Sequence, residues 1–308
     1  RSIWVTGVQT CALPIYGREA VAALAKTGTT KALSGRQRVS TEALIKLTGR
    51  PALRVKDDGI DFKDPQIGAW DTPLLLIEEE IPRLVKAVGR IDVDGAHVGT
   101  GFLVADDLAM TNRHVLEEIA APVPTSVKPK SWVLAQHGVT IDFRREQGSA
   151  QSLLFAVTEV VFSGPTPTND TEYVDFADLD MALLRIEKVN GEGQKLPTPL
   201  SFLQGDLLSH GSQDVLVIGY PARPSDLPLD DEGNVRKDVV DALARLFGLR
   251  YGVKYLSPGS VTSQPGTLQG DGEKWVFGHD CTTLGGNSGS CVIRYGPKPL
   301  YGDRKSVV

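Results

Sequence analysis

Three side chains of this sequence could together carry acyl transfer, and each stands in a local setting that suits its part. Ser288 lies within Gly285-Gly286-Asn287-Ser288-Gly289-Ser290. A serine hydroxyl is a weak nucleophile until a neutral imidazole takes its proton. Glycines at 286 and 289 permit the tight turn that presents such a hydroxyl and lets a carbonyl approach. In that turn the N–H groups of Gly286 and Ser288 would form the oxyanion hole, where one lost donor typically costs about 3–4 kcal/mol of transition-state stabilisation. His114 follows a polar turn after the strand-like run Leu108–Asn112 and would serve as general base, then acid. Asp180 directly precedes the apolar run Met181-Ala182-Leu183-Leu184 and would accept the imidazole N–H, fixing its tautomer. Asp175 and Asp178 are its neighbours and rivals, assigned here to a solvated acidic loop.

The same three residue types occur on unrelated folds in other chain orders, so the order His, Asp, Ser carries information. Gly99-Thr100-Gly101-Phe102-Leu103-Val104 precedes the histidine, and Thr111-Asn112-Arg113-His114-Val115 surrounds it. Together with Asp180-Met181-Ala182-Leu183-Leu184 and the serine loop, these segments resemble the chymotrypsin-like serine peptidases. Asn-Ser-Gly-Ser is similar to the bacterial glutamyl-endopeptidase branch, and the histidine segment is similar to the HtrA peptidases. The resemblance covers about residues 85–302. It implies a double antiparallel β-barrel, a polypeptide substrate, and no metal or organic cofactor. It also implies a threonine lining the S1 pocket at Thr283, five positions before the nucleophile. Position 287 is asparagine where the digestive enzymes have aspartate, so activation by an ion pair to a newly cut N-terminus is not implied. Cys291 stands where many relatives have proline.

Other chemistries fit less well. An α/β-hydrolase elbow needs glycine two positions after the serine, but residue 290 is serine, and no histidine follows His279. His97, His114, His137, His210 and His279 are widely spaced, with no paired metal-ligand motif. His279 reads as a structural loop residue. The main rival is a catalytically silent binding or regulatory module on a peptidase fold. A second is a regulated enzyme in which residues 17–80 dock a partner.

The composition is that of an ordinary globular chain: 308 residues, 41% hydrophobic and 23% charged, with a net charge of −5 and no long basic run. That argues against nucleic acid as the main partner. No stretch approaches the roughly 20 apolar residues of a membrane span. Of three cysteines, Cys281 and Cys291 flank the serine loop and are expected as buried free thiols, a disulfide between them being the alternative. The compartment stays open. Val5-Thr6-Gly7-Val8-Gln9-Thr10-Cys11-Ala12-Leu13-Pro14-Ile15 resembles a translated sequencing adapter, as does Asp303–Val308, and the only methionines are Met110 and Met181. Residues 1–15 and 303–308 are therefore set aside, and the natural product is expected to continue in both directions.

Residues 16–84 read as a partly helical N-terminal extension, with helices expected near 18–26, 41–47 and 77–88. The peptidase domain is expected at 85–302, with barrel 1 at about 85–187 and barrel 2 at about 214–302. Strands are expected at Lys86–Val93 and His97–Ala105 around Asp94-Gly95, then Leu108–Asn112, Trp132–Phe143, Leu153–Phe162 and Met181–Ile186. The second half offers Val215–Tyr220, a helix at Lys237–Phe247, Val253–Leu256 and Ser260–Ser263 about a Pro258-Gly259 bend, Trp275–Phe277 and Cys291–Arg294. Two six-stranded barrels need more strands after Tyr301, so the second is expected to be incomplete.

Overall fold

The computed structural model describes residues 4–6, 49–123, 132–135, 138–149, 151–165, 178–200, 214–224, 227, 232–267, 271–274 and 276–295. Strand β1 (Trp4–Thr6), in the segment set aside above, pairs with Val292–Arg294. Next come β2 (Leu53–Lys56) and β3 (Gly59–Ile60), joined through Asp57 and Asp58, both with positive φ. That is the type I′ geometry whose twist matches paired strands. A 3₁₀ turn at Gly68–Trp70 leads into α1 (Asp71–Leu75) and α2 (Ile81–Lys86), the latter with Pro82 in its first turn. The helix expected over 77–88 is thus only the shorter Ile81–Lys86. Those expected near 18–26 and 41–47 lie outside the described residues.

The first barrel is built from β4 (Val88–Val93), β5 (Ala96–Ala105), β6 (Leu108–Thr111), β9 (Val139–Asp142), β10 (Leu154–Ser163) and β11 (Ala182–Ile186). Between β6 and β9 lie α3 (Arg113–Ile119), β7 (Ala120–Pro122) and β8 (Trp132–Leu134). The barrel closes in the order β10-β11-β6-β5-β4-β9. The β4–β5 hairpin turns on Asp94 and Gly95, both left-handed, as the Asp-Gly signal requires. Along β11, buried and half-buried positions alternate, which points Ala182, Leu184 and Ile186 at a core containing Leu103, Ile141 and Phe155. The strand expected over Trp132–Phe143 is two strands, β8 and β9. Gly138, just before β9, takes a left-handed φ of 85°, off the extended path a continuous strand would need.

The second half contributes β12 (Asp214–Gly219), α4 (Lys237–Phe247), β13 (Tyr255–Ser263), β14 (Gly278–His279) and β15 (Cys291–Arg294). Their sheet runs β1-β15-β12-β13-β2-β3, with β14 beside β13, and does not close among the described residues. β12 is buried almost throughout, as its unbroken apolar run Val215–Ile218 dictates. Pro258 does not break β13: it sits opposite Leu216 within a continuous ladder from Tyr255 to Ser260. The strand expected at Trp275–Phe277 falls instead at Gly278–His279. Helix α4 has the expected bounds. It buries Ala242, Leu243, Leu246 and Phe247 against Tyr255, Ala52 and Leu284, and ends at Gly248 in the left-handed conformation. Cys281 and Cys291 are both free and buried. No helix among the described residues is long and apolar enough to cross a membrane.

Candidate active site

His114 is the second residue of α3, where helix N–H groups have no intrahelical partner. Asn112, the residue before the helix, does not cap it with its side chain. The carboxylate of Asp180 takes that part: Oδ1 accepts the His114 backbone N–H at 3.0 Å, and Oδ2 lies 2.7 Å from ring Nδ1. Pairing of Ala182 with Thr111 brings Asp180 alongside this turn. Asn112 Nδ2 then donates to the Asp180 carbonyl oxygen at 3.0 Å and to Oδ2 at 3.1 Å. Burial alone would raise the Asp180 carboxyl. Hydrogen bonds from the His114 ring and backbone and from Arg113, with the imidazole charge, override it and hold the group below its ordinary range. The ring nitrogen that an orienting carboxylate takes is occupied by Asp180. Asp175 lies outside the described residues.

The helix itself is pinned. Arg113 is fully buried, with its Nε donating to Glu117 Oε1 at 2.8 Å and an Nη1 contact to the Gly164 carbonyl. Its guanidinium lies 5.2 Å from the centroid of the Trp132 ring.

The serine loop is two consecutive β-turns. Asn287 N–H donates to the Leu284 carbonyl at 3.1 Å, and Ser290 N–H donates to the Asn287 carbonyl at 2.8 Å. Gly286 and Gly289 occupy the third position of each turn at φ 84° and 85°, the conformation that type II turns reserve for glycine. A Cβ at 286 would stand 2.7 Å from both His97 Cε1 and the Tyr220 carbonyl oxygen. Among the described residues, the N–H groups of Gly286 and Ser288 donate to no protein acceptor.

Thr100 joins this loop to the histidine side. Its N–H donates to the Ser288 carbonyl at 2.8 Å, and its hydroxyl donates to the Gly286 carbonyl at 2.7 Å. Thr111, three residues before His114, donates its hydroxyl to the Thr100 carbonyl at 2.7 Å. Gly99 fills the space between: a Cβ there would stand 2.8 Å from the Val115 side chain and 3.3 Å from the Ser288 carbonyl. Ser288 and the first turn of α3 therefore face each other across one small residue.

Thr283 is fully buried, with no open face toward the cleft. His279 is enclosed too, and its Nδ1 accepts the Cys281 N–H at 3.2 Å. Burial pushes the thiol pKa of Cys291 up to about 12 and that of Cys281 well above its usual value, so neither is a nucleophile. His137 and His210 lie outside the described residues. Among the described residues, no three His, Cys, Asp or Glu side chains gather as an ion-binding set. Asn112 and Thr100 are the functional-site residues that motif reading passed over. Both stand in segments quoted above, but their roles depend on partners far along the chain.

A family profile described as a trypsin-like peptidase domain matches residues 99–296. A probable serine protease of Lysobacter enzymogenes is 34% identical over 265 residues, covering 82% of this chain. The chain spans 65% of that relative's length. Among solved structures, the Rv3671c protease in its inactive form is 20% identical, with a TM-score of 0.34 over 72% of this chain and 78% of that one. Deg5 is 16% identical, with a TM-score of 0.38 over 73% and 80%.

Proposed function

The chain belongs to the trypsin-like peptidase family, and on that footing we propose that it is a serine endopeptidase in which His114, Asp180 and Ser288 act as one unit. The observation that carries this reading is the double grip of Asp180 on the ring and backbone of His114, beside the docked serine turn. Ser288 Oγ attacks the peptide carbonyl while its proton passes to His114 Nε2. Asp180 accepts the Nδ1 proton's hydrogen bond and stabilises the imidazolium. The oxyanion draws hydrogen bonds from the N–H groups of Gly286 and Ser288. Collapse of the tetrahedral intermediate breaks the C–N bond, and the imidazolium returns its proton to the leaving amine. Water, activated by the same imidazole, then releases the acyl group and restores Ser288.

Covalent labelling by a fluorophosphonate tests this. Label is expected on Ser288, and is expected to disappear in Ser288→Ala and His114→Ala. A folded chain that takes no label would be a silent binding module instead.

A further inference from the structure

The region before the first barrel contributes a contact that no family motif requires. Arg50 Nε and Nη2 donate to Asp280 Oδ1 and Oδ2 at 2.6 and 2.7 Å, a two-point fork across 230 residues of chain. Such a fork fixes direction as well as distance, which a lysine's point charge does not. Both side chains are largely covered, at 19% and 12% exposure. Trp70 holds the cation from the other side: its ring centroid lies 5.0 Å from the guanidinium, and its Nε1 donates to the Gly49 carbonyl at 2.8 Å. Thr282 donates its hydroxyl to the Arg50 carbonyl at 2.7 Å, so the backbone is tied as well as the side chain. Leu284, where the first turn of the serine loop begins, packs in the same cluster as Ala52.

Asp280, Thr282 and Leu284 are alternate residues of the lead into the nucleophile turns: Arg50 binds the first two, Leu284 shares a buried cluster with Ala52, and Asp280 Oδ1 also accepts the Ser260 N–H at 2.8 Å. On the far side, Thr100 and Ala222 hold the turns themselves: Ala222 N–H donates to the Gly285 carbonyl at 2.6 Å. The segment that carries the Gly286 and Ser288 N–H groups is therefore tied at its lead on one side and at its turns on the other.

We infer that Arg50 is a positioning residue that latches the lead into the nucleophile turn through Asp280; its consequence for acyl transfer rests on the reading of Ser288 above. The full chain, Arg50→Ala and Arg50→Lys are compared by hydrogen exchange and by the rate of fluorophosphonate labelling. Arg50→Ala is expected to speed exchange over residues 281–290 while leaving β4–β6 unchanged. Its labelling rate should fall about 10- to 100-fold, the scale of a misplacement near 1 Å. Millimolar ethylguanidinium should restore part of the loss, which general destabilisation would not allow. Arg50→Lys, which keeps the charge without the fork, should fall between. Unchanged exchange over 281–290 with unchanged labelling would overturn the latch, as would faster exchange spread evenly over the first barrel and the second sheet. A parent chain that never labels, but whose Arg50→Ala variant still frees residues 281–290, would keep the latch and sink the reading of Ser288.

Discussion

Asp180 shows how one carboxylate can do two positional tasks. One oxygen closes the open end of α3 and the other meets the ring of His114, so backbone and side chain are fixed by the same group. The aspartate and histidine could be picked out from their flanking strands. Asn112 could not, because its amide reaches a carboxylate brought near only by the pairing of β6 with β11. His279 belongs to the structural side of the molecule. Its pKa is pushed down to about 4, first by burial, with the nearby Asp280 charge opposing. In the unfolded chain an imidazole binds its proton near pH 6.5. Between those values the unfolded state holds more protons, so stability falls as pH drops from about 6.5 and stops falling on this account below about 4. One such histidine removes about 2 kcal/mol between pH 7 and pH 5. Urea midpoints at the two pH values should show this difference, and His279→Gln should shrink it by that share.

In the proposed function the serine loop is the element on which the chemistry turns, and its two left-handed glycines, Gly286 and Gly289, are not interchangeable spacers. A Cβ at Gly289 would collide with the Thr100 carbonyl oxygen and the Thr111 hydroxyl, and φ is 85° there. Gly289→Ala must therefore push the loop off β5 or bend β5 itself, at a cost of about 1–3 kcal/mol for overpacking. Because the Thr100 N–H also donates to the Ser288 carbonyl, the displacement reaches Ser288. Labelling by fluorophosphonate should fall far more than the melting temperature does. A variant that melts lower yet labels at the parent rate would refute that coupling. Elements of this kind were legible in the sequence where the cue is local. Asp94-Gly95 announced its hairpin, the periodic face of Lys237–Phe247 its helix, and the glycines their turns. Local cues failed where pairing decides. Pro258 was expected to bend β13, but the ladder to β12 runs through it. Trp132–Phe143 was expected to be continuous, but Gly138 splits it. Nothing near Leu53–Lys56 marks it as a partner of β13, or Arg50 as a partner of Asp280.

At the scale of the whole molecule, the described stretch 49–84 is part of the core. Trp70, Leu74, Ile77, Ile81 and Leu84 recur every three or four residues and share one buried cluster with Leu216, Ile218, Leu256 and Ile293 of the second sheet and Phe102 of the first barrel. A polar seam crosses the same junction. Lys254 is fully buried, with Nζ donating to the carbonyls of Val85 at 2.7 Å and Phe143 at 2.8 Å, and lying 3.5 Å from Glu146 Oε1. Burial pulls its pKa down to about 8, which still leaves it an ammonium at neutral pH. Glu146 in turn accepts the Asp58 N–H at 3.0 Å, so one cation ties the extension, the first barrel and the second sheet together. Removing one partner of a buried pair leaves the other charge uncompensated, which typically costs about 3–5 kcal/mol. Lys254→Met should lose stability on that scale, and Lys254→Met with Glu146→Gln should recover part of it, because a neutral amide can still accept from Asp58. The shared cluster adds a condition on how the loss appears. Urea unfolding followed by tryptophan fluorescence and by fluorophosphonate labelling should shift together, as one transition. If Lys254→Met instead separated the two signals, the polar seam rather than the shared apolar cluster would be what couples the extension to the rest of the fold.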